Sequence, residues 1–130
     1  MTSYSSNKTH AIYAGIADAV LILLFAALGR SAHEHSETFF GIVATAWPFL
    51  LGAVLAWVVL GIWKKPLRIW SNGVFLVVIT VAVGMVLRVL TGAGTAVAFI
   101  IVALVSLAVF LLGHRAIALL ILRLRGRSNR

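Results

Sequence analysis

Asp18 is the side chain of this sequence with the clearest capacity for chemistry, because it is a carboxylate inside an apolar run, residues 11–29. Placing an aspartate at the centre of a membrane span costs about 2.5–3.5 kcal/mol, so such a side chain must face other helices or a cavity. There it can carry a proton, bind a cation or form a buried ion pair. The first two chemistries drive coupled transport and the third fixes helix packing, and the sequence leaves both interpretations open.

Depth along the helices indicates which side chains can reach Asp18. At a rise of 1.5 Å per residue, Asp18 lies roughly 12 Å inside one end of its run. Arg88 lies near the far end of the third run, and Arg30 stands about three turns above Asp18 on the same helix. Neither can reach it. His114 and Arg115, near the end of the last run, match its depth. We expect Asp18 to meet one of these two side chains or a water-filled vestibule.

Arg88 belongs to a stripe of small and polar residues in the third apolar run. Thr80, Gly84 and Arg88 recur at every fourth position, so they share one helix face, which Thr91 continues. We expect this face to lie against protein, since Gly and Thr permit helices to approach closely. Arg88 itself either extends to the outer interface or contacts an anion beside residues 92–95, which precede the N-terminus of the fourth run.

A further group of chemically capable side chains stands between the first two runs, namely His33, Glu34, His35 and Glu37. Imidazole and carboxylate groups are zinc ligands, but two histidines in a short loop are more often plain polar residues, and we expect no metal. The chain has no cysteine, which excludes disulfides and iron–sulfur ligation. It also has no nucleophile–base pair and no nucleotide-binding glycine loop, so we expect no enzyme activity and no cofactor.

Four apolar runs must position these residues, at about 11–29, 40–63, 70–90 and 96–117. Each is close to the roughly 20 residues that span a bilayer core. The chain is 62% hydrophobic, with a mean hydropathy of +1.11, whereas soluble domains are roughly 45–50% apolar. We therefore predict an all-α fold, an integral membrane four-helix bundle that forms a single domain over residues 1–130. In the basic tail, 118–130, the last helix either continues or breaks into a short interfacial helix.

The basic residues alternate along the chain and predict its topology. Lys8 precedes the first run, residues 64–68 include three of the basic side chains, and arginines fill the tail. Lys and Arg stay on the cytoplasmic side of a membrane. We therefore predict an antiparallel bundle, N-in and C-in, in the cytoplasmic membrane. The net charge of +8 then faces anionic lipid headgroups, and we expect no nucleic-acid partner.

Small residues four positions apart occur twice, at Gly15 and Ala19 and at Gly52 and Ala56. Such pairs let helix backbones approach closely in a membrane. They predict either tight packing within one chain or a homodimer.

Two stretches resemble a known family, residues 45–50 (TAWPFL) and residues 83–88 (VGMVLR), the second followed by residues 91–96 (TGAGTA) and Phe99. With Asp18 and Arg30, they are similar to a bacterial and archaeal family of small four-span membrane proteins classed as a domain of unknown function. The resemblance runs from Asp18 to His114. It implies a four-span fold and no particular activity. The acid motif of small multidrug-resistance exporters and the phenylalanine pattern of fluoride channels are absent.

Two classes of function remain. The first is a small transporter or permeation pathway, formed by a dimer, with Asp18 as coupling acid and Arg88 as outer polar contact. The second is a lipid-binding protein or an accessory subunit of a membrane complex. We favour the first, but a dry core with a lateral groove would support the second. In the first, the further binding or coupling residues are His114, Thr80, Thr91 and Arg30.

Overall fold

The computed structural model of the protein describes residues 2–32, 39–93 and 96–128, with side chains described for 8–29, 39–93 and 96–126. All regular structure in these ranges is helical, which confirms the all-α prediction. Four segments of 22 residues or more are long and apolar enough to cross a membrane. The four long helices are α1 Thr2–Ala32, α2 Phe39–Leu60, α3 Val74–Leu90 and α4 Val97–Ser128.

The last helix extends well beyond the predicted span of 96–117. α4 continues without a break to Ser128. Of the two alternatives for the tail, the structure therefore has the continuous helix, and its exposed final turns carry Arg123 and Arg125.

The connection between α2 and α3 is a compact structure rather than a simple loop. Gly61 ends α2 with a φ of 60°, a left-handed conformation that glycine adopts without steric cost. A 3₁₀ turn, Ile62–Lys64, follows, and a π-helical turn, Ile69–Gly73, leads into α3. Between the turns Pro66 and Leu67 are buried, so the basic segment is anchored to the protein by its apolar residues.

The four helices share one apolar core. Within it three aromatic rings from three helices meet, with centroids 5.4 Å apart for Phe25 and Phe49 and 6.2 Å apart for Phe49 and Phe99. Such edge-to-face contacts add to the burial energy of the rings. The buried core residues are Ile22, Phe25, Ala26, Ala46, Phe49, Ala53, Ala56, Ile62, Leu76, Val77, Val81, Ala103, Leu107 and Leu111.

α2 and α3 pack closely against each other at two glycines. A Cβ atom on Gly52 would lie 2.9 Å from the carbonyl oxygen of Thr80, and one on Gly84 would lie 2.5 Å from the ring of Phe49. Thr80 and Gly84 are buried and Arg88 is half-buried. The prediction that this stripe faces protein is therefore confirmed, and Gly52 serves packing within the chain.

The outward faces of the helices remain apolar. Large side chains that are more than half exposed occur on every helix, among them Ile16, Val59, Val86 and Val109. Soluble monomers rarely expose apolar patches of this extent, whereas lipid tails are an apolar solvent for them. Four apolar helices with such faces indicate a multi-pass membrane protein.

Candidate functional site

Asp18 lies on α1 with only 3% of its surface exposed, and Arg115 of α4 contacts both of its oxygens. The Nη1 group of Arg115 donates to Oδ1 at 2.7 Å and the Nη2 group donates to Oδ2 at 2.8 Å. Two parallel, charge-assisted hydrogen bonds of this kind are among the strongest that side chains form. Because an arginine remains protonated in proteins, Asp18 and Arg115 form a buried ion pair.

Arg115 is itself fully buried, and two of its remaining N–H groups donate to backbone carbonyls. Its Nε–H donates to the carbonyl of Pro66 at 2.8 Å, and Nη1 also donates to the carbonyl of Leu111 at 3.0 Å. The ion pair therefore reaches beyond α1 and α4. Through Pro66 it holds the basic connection between α2 and α3 against the end of the core.

His114 links Asp18 to the protein surface. Its Nε2 lies 2.7 Å from Oδ1 of Asp18 and its Nδ1 lies 3.1 Å from the hydroxyl of Tyr13. Since the carboxylate can only accept, Nε2 carries the proton of this bond, and Nδ1 forms a second hydrogen bond with the hydroxyl of Tyr13. Nη1 of Arg115, 3.0 Å from Nε2, is then a close neighbour rather than a donor to it. Tyr13 is exposed, so this chain of contacts runs outward.

Trp57 supplies the fourth donor to the carboxylate. Its indole N–H donates to Oδ2 of Asp18 at 3.0 Å. Each oxygen of Asp18 therefore accepts two hydrogen bonds, from His114 and Arg115 on one side and from Arg115 and Trp57 on the other. The carboxylate is saturated, and its oxygens have no vacant direction for a cation.

The structure brings together only part of the predicted site. Asp18 meets both His114 and Arg115, as expected from depth, but the sequence analysis did not predict Trp57 or Tyr13 as partners. Depth offered a signal for Trp57, which lies roughly 9 Å inside the end of the predicted run 40–63 and so near the level of Asp18. Which face of an apolar helix a tryptophan occupies does not follow from depth.

Arg88, Thr80 and Thr91 form no part of this cluster. The guanidinium of Arg88 stacks over the ring of Phe99 at 4.5 Å, a cation–π contact. The hydroxyl of Thr91 donates to the carbonyl of Leu87 at 2.8 Å and so closes the end of α3.

Some predicted residues lie outside what the structure describes. Arg30 belongs to α1, but its side chain is outside the described set, as are residues 33–38 with the two histidines and residues 94 and 95. Among the described residues, no group of three or more His, Cys, Asp or Glu side chains could hold a metal ion.

Two apolar grooves open on the sides of the protein. One, of about 380 Å³, lies between α1 and α2 and is lined by Gly15, Asp18, Trp57 and Trp63 among others. The other, of about 340 Å³, lies between α1 and α4 and is lined by Phe25, Leu28, Ala98, Phe99, Ser106 and Phe110 among others. Both are lined mainly by apolar side chains.

The fold and the cluster define a small four-helix membrane protein with a buried ion pair between its first and last helices. The chain belongs to the family described as "Protein of unknown function (DUF3054)", whose sequence model matches residues 15–118. This range includes Asp18, Trp57, His114 and Arg115. No curated protein and no solved structure matches the chain, and the family description assigns no activity.

Proposed function

We propose that this protein is a non-enzymatic binding or accessory protein of the cytoplasmic membrane, which holds lipid on its lateral surface. In this proposal the helices form an antiparallel bundle with both termini in the cytoplasm. Asp18 is a structural lock rather than a coupling acid. Lipid occupies the grooves beside α1, and the basic connection between α2 and α3 faces the headgroups of the inner leaflet.

The saturation of the Asp18 carboxylate carries this proposal. A coupling acid must exchange its proton or cation with water on alternate sides of the membrane. Asp18 is almost fully buried and accepts four hydrogen bonds from three side chains. Removing one partner from a buried ion pair costs about 3–5 kcal/mol, so releasing Asp18 in every transport cycle would be costly.

The lateral grooves support lipid as the ligand. The groove between α1 and α4 is walled by phenylalanine rings and opens sideways between two helices. A bilayer presents acyl chains to such an opening at high concentration, and apolar walls offer them close contacts.

Lipid binding in the groove between α1 and α4 can be tested with a matched pair of variants. Ala98 lines the groove between α1 and α4, and Ala82 is exposed on α3. Purified Ala98→Trp protein should retain less phospholipid per chain than the wild type, whereas Ala82→Trp should retain the same amount. Lipid extraction with mass spectrometry measures both. Equal retention by the two variants and the wild type would contradict lipid binding in this groove.

Transport remains a second candidate because of one observation. The contacts from Asp18 through His114 to the exposed hydroxyl of Tyr13 form a continuous line of hydrogen-bonding groups. Such a line can move protons between the core and one surface.

Liposomes distinguish the two candidates. With an imposed pH gradient, we expect liposomes containing the wild-type protein to dissipate it no faster than empty liposomes. Faster dissipation that Tyr13→Phe slows, while Trp63→Phe does not, would establish the line as a proton path and overturn the proposal.

A further inference from the structure

A basic depression of about 880 Å³ lies at the end of the protein where α1, α4 and the connection between α2 and α3 meet. The connection contributes Lys65 and Arg68, both exposed. The described residues include no acidic side chain within salt-bridge distance of either cation. The remaining lining residues are His10, Pro66, Leu67, Ile69, Trp70, Ser71, Leu119 and Leu122.

The backbone that carries these two cations is held in place. The carbonyl of Lys65 accepts from the side-chain amide of Asn72 at 2.7 Å and from the N–H of Arg68 at 3.2 Å. Pro66, between them, accepts from the buried Arg115 at 2.8 Å. A ligand that contacts Lys65 and Arg68 therefore does not have to order the loop first, which lowers the entropic cost of binding.

Ser71 supplies an unsatisfied donor at the same place. It lines the depression, and its hydroxyl is buried with no hydrogen-bond partner among the described residues. Leaving a buried hydroxyl unpaired is costly, and buried polar groups nearly always have a partner. A hydroxyl in a lining that also carries two cations suits a ligand with anionic oxygen acceptors, and a phosphate group provides several.

The other wall of the depression is apolar and suits a lipid rather than a soluble phosphate. Leu119 and Leu122 face it from α4, and Trp70 stands at its edge with 86% of its surface exposed. Tryptophan prefers the level of the lipid headgroups. A phosphate held at the cations would place its glycerol and first acyl carbons against these side chains.

We infer that this depression is a binding site for an anionic phospholipid, whose phosphate contacts Lys65, Arg68 and the hydroxyl of Ser71. The inference rests on the proposed lipid-binding function and names the lipid class and the site. Basic pockets between membrane helices on the cytoplasmic side recognise anionic headgroups through the same chemistry.

Competition between two lipids tests the site. The protein is reconstituted into vesicles of equal parts phosphatidylglycerol and phosphatidylcholine, extracted in mild detergent, and the retained lipids are counted by mass spectrometry. We expect the wild type to be enriched in phosphatidylglycerol. Lys65→Gln and Arg68→Gln should each lower the enrichment by about fivefold, the effect expected of one basic residue near a headgroup.

Lys64→Gln is the matched control. It removes the same charge from the adjacent position of the same connection, but Lys64 does not line the depression and stands beside the ring of Trp63 instead. Ser71→Ala removes the hydroxyl and leaves the charge unchanged. We expect Lys64→Gln to keep the enrichment in phosphatidylglycerol and Ser71→Ala to reduce it. A general attraction of basic residues for anionic lipid would instead make Lys64→Gln reduce the enrichment and Ser71→Ala keep it. That result would overturn the site.

Two further outcomes separate this inference from the proposed function. If the wild-type protein retains lipid but shows no preference for phosphatidylglycerol, the anionic site is overturned and lateral lipid binding is left intact. Loss of all retained lipid would refute both. Inorganic phosphate added during extraction should not displace the bound phosphatidylglycerol, and displacement would show a site for soluble phosphate instead of lipid.

Discussion

The two terminal nitrogens of Arg115 lie 2.7 and 2.8 Å from the two carboxylate oxygens of Asp18, so the last helix holds the first by a two-point contact. His114 and Trp57 complete the set of donors. The cluster therefore joins α1, α2 and α4, and through Pro66 it also reaches the connection to α3. Its first consequence is for stability.

Asp18→Asn should lower the free energy of unfolding by about 3–5 kcal/mol, because Arg115 would be left as a buried, unpaired charge. Thermal unfolding in detergent measures the loss. Arg123→Gln, which removes an exposed cation from α4, the helix that also carries Arg115, should leave the unfolding temperature unchanged. An unaltered unfolding temperature for Asp18→Asn would show that the ion pair does not hold the helices together.

The double variant Asp18→Leu with Arg115→Met should be more stable than the sum of its two single variants predicts. Replacing both members of a buried pair by apolar groups removes the desolvation cost that each single change leaves behind. A double-mutant cycle isolates this coupling, which is about 0.5–3 kcal/mol for residues in contact. Strictly additive effects would contradict a direct interaction.

Trp57→Phe should destabilise the protein by about 1.5–3 kcal/mol, the range for a hydrogen bond to a charged group. A six-membered aromatic ring is retained, while the pyrrole ring with the N–H donor to Asp18 is lost. Trp63→Phe is the control, since Trp63 lines the same groove but lies in the 3₁₀ turn beyond α2. Equal effects of the two changes on the unfolding temperature would mean that ring packing, not the hydrogen bond, explains the loss.

Gly52→Ala should cost about 1–3 kcal/mol, as overpacking in a dense interior does. The new Cβ would meet the backbone of Thr80 at 2.9 Å, and backbone cannot move aside as a flexible side chain can. Gly113→Ala is the matched change on α4, where a Cβ meets nothing within 4 Å. It should be neutral or slightly stabilising, and the same unfolding measurement reports both.

The predicted orientation can be tested directly because the chain has no cysteine. A membrane-impermeant maleimide should label Thr91→Cys in intact cells and Lys64→Cys only after the cells are permeabilised. Both positions are exposed and lie at the ends of apolar segments. The reverse labelling pattern would place both termini outside and refute the assignment from charge.

Depth and period in the sequence predicted a good part of this arrangement. Asp18 could be matched to His114 and Arg115 because distance along a helix is fixed by its rise. The stripe at Thr80, Gly84 and Arg88 followed from the helical repeat. Both rules are local to a single helix and need no knowledge of tertiary contacts.

Which face of each helix packs against the other helices was harder to predict. α2 is apolar on all sides, so its sequence does not distinguish the face that carries Trp57 from the face that meets lipid. The π-helical turn before α3 and the contact of Arg115 with Pro66 depend on tertiary packing. No periodic pattern encodes either of them.

The ion pair also has a consequence for the order in which the protein is made. Asp18 and Arg115 are 97 positions apart, and synthesis proceeds at about 5–20 residues per second. For seconds, therefore, the first helix is in the translocation machinery or the bilayer without the cation that neutralises its acid. The ion pair can form only when the fourth helix, which carries Arg115, has been made. A chain interrupted before that point therefore keeps in its first span a carboxylate that Arg115 has not paired.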